Sequence, residues 1–173
     1  GSLSIKYLEQ GKNEWYAATS QQGLLILDEK TLRIQKQFLF KKDDKILSLG
    51  KIFSFSDEVL WIASYRGLFT FHKITHEVKP LIFDNCPACT VDMFVQDIYQ
   101  SQSGDIWITG NEGNKAYKVD PTGKMITRIE HDLQNEKFRV NIPFRISEDA
   151  EGNIWFCGDA MARYNTTTGR IDS

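Results

Sequence analysis

A tryptophan-centred segment recurs along the chain at nearly constant spacing, and this periodicity limits the fold more than any other feature. Its clearest copies are Gly104-Asp105-Ile106-Trp107-Ile108-Thr109-Gly110 and Gly152-Asn153-Ile154-Trp155-Phe156-Cys157-Gly158. Looser copies are Val59-Leu60-Trp61-Ile62-Ala63-Ser64 and Asn13-Glu14-Trp15-Tyr16-Ala17-Ala18. All four tryptophans are used, one per copy, at spacings of 46, 46 and 48. Self-similarity at such a period marks a repeat architecture, in which each unit buries its faces against its neighbours.

The flanking residues give each repeat its shape. Ile52, Ile98 and Ile146 each stand nine positions before their tryptophan, and Gly104 and Gly152 stand three before. This reads as strand, tight turn, strand, with glycine supplying the positive φ of the turn. A second turn signal follows, as Gln22-Gly23-Leu24, Arg66-Gly67-Leu68 and Glu112-Gly113-Asn114. A third strand then ends at Asp28, His72, Asp120 or Asn165, and a β-branched residue stands six positions beyond: Ile34, Val78, Ile126 or Ile171. That offset fits a hairpin turn, clearest in Asp120-Pro121-Thr122-Gly123, where proline presets φ at the second position. A fourth strand completes the unit.

Each unit is thus four short antiparallel strands, and no segment shows a capped helical period. Four-stranded units with one tryptophan each are blades of a β-propeller. The expected fold is all-β, a propeller fragment of about four blades at roughly 3–42, 43–89, 90–138 and 139–173 in a single domain. The tryptophan is expected to fill the gap between adjacent blades. Gly1-Ser2 reads as the remnant of a cleaved tag and is set aside.

The 173-residue chain is long enough to bury a core, and its net charge of −2 argues against a general nucleic-acid or anionic-membrane binder. No apolar run approaches the roughly 18 residues of a membrane span. Three cysteines, an odd count, do not make a disulfide framework. Cys86 and Cys89 form a Cys-Pro-Ala-Cys pair between blades two and three. A thioredoxin-like site there would need a helix N-terminus, and a zinc site would need a second ligand pair. A local disulfide or two free thiols are the remaining readings. Cys157 reads as a small strand residue. His72 occupies the turn column filled elsewhere by Asp or Asn, His76 would share a face with it only on a helix, and His131 lies in a polar connection. The carboxylates are scattered over turns, with no pair spaced for general acid–base work, no phosphate loop and no metal-ligand helix.

The pattern Ile-x-x-polar-x-x-Gly-x-Ile-Trp, followed by a turn, an apolar pair, Asp or Asn, and Thr-Gly-Lys/Arg, resembles the two-component regulator propeller repeat. Glu148 to Phe156 matches it most fully. The resemblance spans nearly the whole chain and is strongest in copies three and four; copy one lacks the glycine, and copy four has Met161-Ala162 where the family has Gly-Leu. It implies the extracytoplasmic sensor region of a hybrid two-component protein of Bacteroides type, periplasmic and membrane-anchored. Such regions respond to breakdown products of complex polysaccharides and relay the signal to a histidine kinase in the parent protein. They hold many more repeats than four, so the chain looks like a fragment. Copy three also resembles a blade of the streptogramin lyase propellers, which carry a His and acids around a central metal, although this chain has no His in a first or second strand. A purely structural or dimerising propeller is a third reading.

Propellers commonly present ligand-contacting groups on the loops between second and third strands. Those loops carry Gln22, Tyr65, Arg66, Asn111, Glu112 and Asp159, whose aromatic, amide and charged groups suit sugar hydroxyls or uronic acids. The expectation is therefore a non-catalytic module without cofactor or metal, binding an oligosaccharide through these six residues. Self-association through exposed edge blades is expected, and contact with nucleic acid or membrane is not.

Overall fold

The computed structural model describes residues 3–89, 93–110, 115–130 and 145–172. The strands gather into four antiparallel four-stranded sheets, each with its strands in simple spatial succession, as the repeat predicts. Blade one holds β1 (Ile5–Gln10), β2 (Glu14–Thr19), β3 (Leu24–Asp28) and β4 (Ile34–Phe38). A two-stranded hairpin, β5 (Lys41–Lys42) and β6 (Lys45–Ile46), precedes blade two. Its turn places Asp43 and Asp44 at φ 48° and 58°, the two positive values of a hairpin turn whose twist matches its strands. Blade two holds β7 (Leu49–Ser54), β8 (Val59–Ser64), β9 (Gly67–His72) and β10 (Val78–Pro80). Blade three holds β11 (Val95–Gln100), β12 (Ile106–Gly110), β13 (Lys115–Val119) and β14 (Ile126–Glu130). Blade four holds β15 (Arg145–Glu148), β16 (Ile154–Cys157), β17 (Met161–Asn165) and β18 (Arg170–Asp172).

The chain divides into two compact units. One contains blades one and two with the β5–β6 hairpin; the other contains blades three and four and the segment Ile82–Cys89. In the first unit, Tyr16, Ala18, Leu24 and Ile26 of blade one pack on Ile52, Leu60, Ile62, Phe69 and Phe71 of blade two. Rings lock the seam: Tyr16 meets Phe71 edge-on and Phe38 tilts against Phe71, with centroids 6.3 and 5.1 Å apart. In the second unit, Trp107 and Ala116 of blade three pack on Ile146, Ile154, Phe156 and Ala162 of blade four.

The tryptophan repeat needs one correction. Trp107 is fully buried in the seam to the next blade, and Trp61 is buried as well. In blade one the residue facing the next blade is Tyr16, while Trp15 lies on the other face of the sheet with Ala17, Leu25 and Leu27. The turns confirm this frame. Thr19 Oγ1 donates to the Gly23 carbonyl at 2.8 Å, as Ser64 Oγ does to Gly67 at 2.9 Å, so Thr19 corresponds to Ser64 and Tyr16 to Trp61. In the register of β1 and β2, Leu8 stands opposite Ala17 as Ile52 stands opposite Ile62 and Ile98 opposite Ile108, so the first hairpin of blade one is one residue shorter than the others. Trp155 faces away from the blade three seam and is half-buried.

The polar column that ends each third strand has one task in all four blades. Asp28 Oδ1 accepts from the amides of Lys30 and Thr31, and the Asp120 carboxylate from those of Thr122, Lys124 and Met125. Asn165 Oδ1 accepts from Thr167 and Thr168, and His72 Nδ1 from Ile74 and Thr75. Each side chain stands in for a backbone carbonyl and closes its hairpin locally. Bonding to Thr122 and Thr31 also holds the Asp120 and Asp28 carboxyls below the usual carboxylate range.

Candidate functional site

Of the six loop residues expected to meet a ligand, Asn111 and Glu112 lie outside the described residues. Gln22 sits in the β2–β3 turn, where its main-chain N–H donates to Thr19 Oγ1 at 2.8 Å and its main-chain carbonyl accepts from Gln37 Nε2 at 3.0 Å. Tyr65 is exposed in the β8–β9 turn. Its neighbour Arg66 reaches the β5–β6 hairpin and pairs with Asp43 at 2.8 Å. Both partners are well exposed to solvent, so the pair contributes little stability, roughly 0–1 kcal/mol, but fixes the guanidinium over the turn. Asp159 is exposed in the β16–β17 turn of the other unit. None of these four described residues lines the cleft found elsewhere in the first unit.

That cleft has a volume of about 810 Å3 and opens between blades one and two. The β1–β2 turn supplies Gln10, Gly11 and Lys12, β2 supplies Glu14 and Tyr16, the β7–β8 corner supplies Ser54, Ser56 and Asp57, and the turn after β9 supplies Lys73 and Ile74. Strand β2 runs from here toward Gln22, so the cleft and the Gln22 turn lie at opposite ends of blade one.

Tyr16 organises the cleft wall. It is buried, and its hydroxyl donates to the Glu14 carboxylate. Burial first, and then that bond to a carboxylate, push the phenol well above its ordinary pKa. The hydroxyl is therefore a fixed neutral donor. Gly11 is small for a steric reason: a Cβ there would sit 2.9 Å from Tyr16 Cε2 and 3.1 Å from the Glu14 carbonyl. The Lys73 ammonium lies 5.8 Å from the centre of the Tyr16 ring and 3.5 Å from the Ser56 carbonyl, so blade two caps the aromatic of blade one. Ser54 Oγ donates to Glu9 Oε1 at 2.9 Å and pins the same seam. Gln10, Lys12 and Asp57 line the space and make no side-chain hydrogen bond or ion pair among the described residues.

Two polar links in the second unit also escape a linear reading. Asp97 is almost fully buried; its carboxylate accepts from its neighbour Ile98 at 2.9 Å and from the Ile146 amide of blade four at 3.0 Å. Glu148 Oε2 accepts from the Gln102 amide at 2.8 Å and from the Tyr99 hydroxyl at 3.3 Å, tying blade four back to blade three. Cys86 and Cys89 are joined by a disulfide. The segment before it docks on the edge of β14, with Asn85 exchanging two hydrogen bonds with the Ile126 main chain at 2.8 and 2.9 Å, as a strand backbone would. Among the described residues, no group of three or more His, Cys, Asp or Glu could hold a metal ion.

Comparison with known proteins identifies the fold. No family model matches the sequence, and no curated protein matches it. Solved structures do match over most of the chain. The extracellular domain of BT4673, a one-component or hybrid two-component system of B. thetaiotaomicron, superposes with a TM-score of 0.72 at 20% identity over 92% of this chain. That of the hybrid two-component system BT3049 from the same organism gives 0.69 at 17% over 96%. Virginiamycin B lyase from Staphylococcus aureus, in complex with quinupristin, gives 0.71 at 15% over 97%. The chain spans 21% and 23% of the two extracellular domains and 54% of the lyase. These likenesses, together with matches to other propeller domains, establish a β-propeller fold.

Proposed function

We propose that this chain is a non-catalytic sensor module of a hybrid two-component protein, extracytoplasmic and periplasmic, which binds oligosaccharide breakdown products and passes the signal to a histidine kinase. The observation that carries this reading is the likeness of nearly the whole chain to extracellular domains of two such systems. The Trp repeat, with its Gly-x-Ile-Trp turn, supports it from the sequence side. The Cys86–Cys89 disulfide supports an oxidising compartment, where such bonds persist. A calorimetric titration of the chain with neutral and acidic oligosaccharides tests the ligand class. Heat of binding with at least one sugar is expected, and a flat response to every member of the panel would sink the sugar-binding part.

The likeness to virginiamycin B lyase favours one competing reading, a propeller enzyme acting on an antibiotic of the quinupristin type. Incubating the chain with quinupristin and a divalent cation, and following the mixture by liquid chromatography with mass spectrometry, discriminates the two. Intact quinupristin is the outcome expected of a sensor, and a new product would reverse the assignment.

A further inference from the structure

We infer that the cleft between blades one and two is the seat of the ligand, and that it takes a neutral, hydroxyl-rich molecule, namely a short oligosaccharide without acid groups. This inference rests on the sensor reading above and moves the site away from the loops between second and third strands.

Size is the first argument. About 810 Å3 lies within the range of roughly 300–1,000 Å3 that holds small-molecule ligands. Charge is the second. The lining carries two ammonium groups, Lys12 and Lys73, and two carboxylates, Glu14 and Asp57, so its formal charge is zero. An anionic ligand entering this space would meet Glu14 and Asp57, and a cation would meet Lys12 and Lys73. An apolar ligand would strip water from these groups and from the Gln10 amide without replacing its hydrogen bonds. A polyol has none of these conflicts. Each hydroxyl both donates and accepts, so adjacent sugar hydroxyls satisfy a carboxylate and an ammonium together.

Preorganisation is the third argument. Tyr16 is locked by burial and by Glu14, and Lys73 is held over its ring, so part of the polar wall is fixed before any ligand arrives. Gln10, Lys12 and Asp57, whose side chains have no hydrogen-bond or ion-pair partner among the described residues, supply donors and acceptors. Ile74, 67% exposed at the cleft margin, offers an apolar surface for the C–H face of a sugar ring.

The experiment is calorimetry with trisaccharides of glucose, mannose and xylose and with trigalacturonate, on the unaltered chain and on three variants. Asp57→Asn and Lys73→Gln alter the cleft, and Arg66→Ala alters the opposite end. Asp57 is exposed and Asp57→Asn is isosteric, so this variant keeps the test valid even if Lys73→Gln disturbs the seam; thermal midpoints verify the fold of each. Loss of a charged hydrogen bond should weaken a neutral trisaccharide by about tenfold in each cleft variant, while Arg66→Ala stays within about twofold. Unchanged affinity in the cleft variants, or loss confined to Arg66→Ala, overturns the cleft and leaves the sensor reading standing. Tighter binding of trigalacturonate overturns the neutral class. No heat with any sugar overturns both readings.

Discussion

The turns that lead into the last two tryptophans share a backbone and differ in one side chain. In blade four Asp149 opens the turn; in blade three Ser101 stands in its place. The amides of Ser101 and Asp149 donate to Asp105 and Asn153 at 2.9 and 3.0 Å, and Gly104 and Gly152 close each turn at φ 89° and 80°. Around Asp149 the donors converge. Its carboxylate accepts from the amides of Glu151 and Asn153, from Asn153 Nδ2 and, at 2.8 Å, from Trp155 Nε1. The Ser101 hydroxyl is too short for this and bonds Ser103 and the Asp105 carbonyl instead. Trp107 Nε1 is consequently buried without a hydrogen-bond partner among the described residues, as is Thr109 Oγ1. The Asp105 carboxylate turns to Lys118 at 2.8 Å, and that ammonium lies 5.8 Å from the centre of the Trp107 ring.

The better-bonded tryptophan is thus the more exposed one. An unsatisfied buried donor costs about 1–3 kcal/mol, whereas burying an aromatic of this size contributes about 4–6 kcal/mol at 25 cal/mol per Å2. Packing outweighs the missing bond. The blade three turn therefore tolerates serine because Trp107 is held by its neighbours, while blade four compensates for a half-covered indole with an acceptor. The largest test of that contrast is truncation. Trp107→Ala should cost about 3–5 kcal/mol in chemical denaturation and Trp155→Ala clearly less, because only the first leaves a full cavity. Equal losses would break the comparison.

Grafting the blade four turn into blade three sharpens it. Ser101→Asp alone would set two carboxylates at positions 101 and 105 side by side, so the graft requires Asp105→Asn as well. Because Asp105→Asn also removes the Lys118 ion pair, that single variant is the reference: the double variant should be about 1 kcal/mol more stable than Asp105→Asn and show slowed exchange of the Trp107 indole proton by NMR. A double variant less stable than Asp105→Asn would mean that the orphan N–H is better left without an acceptor.

A smaller effect appears in acid. The Trp155 bond chiefly, then those of Asn153 and Glu151, hold the Asp149 carboxyl below its ordinary pKa of 3.8. A depressed folded pKa stabilises above the unfolded value, and that contribution fades as pH falls through 3.8 and below. Asp28 and Asp120 act in the same direction. Thermal midpoints of the unaltered chain should drop as pH falls below about 4, and Asp149→Ser should flatten part of that acid limb while lowering the midpoint modestly at neutral pH. An acid limb of unchanged slope in Asp149→Ser would remove Asp149 from this account.

The repeat made much of the architecture readable. The turn glycines, the nine-residue offset from isoleucine to tryptophan and the polar column at the third strand's end all correspond to structural roles. What failed to show was the frame of blade one. Glu14-Trp15-Tyr16-Ala17-Ala18 alternates equally well in either register, and only the Thr19 hydroxyl spanning its turn selects Tyr16 as the seam residue. Asp97 was hidden by a bulge: the register shifts between Val95 and Asp97, so alternation along β11 no longer reports which side chains point inward. The cleft was hidden because it is shared. Tyr16 and Lys73 stand 57 positions apart and meet only once two blades stack. Loops between second and third strands attract notice because their Gly-containing turns carry polar groups, and in these turns it is the Thr19 and Ser64 hydroxyls that do the closing.

The side-chain-closed hairpins also set a timetable for folding. Each joins residues no more than six positions apart, as Asp28 with Arg33 or His72 with Glu77. Hairpins of this kind form in about 1–10 μs. The Trp107–Phe156 contact must instead close 49 residues of chain before it brings any reward. Outer hairpins are therefore ready-made parts, and the slow step of each unit is the docking of one finished sheet on the next.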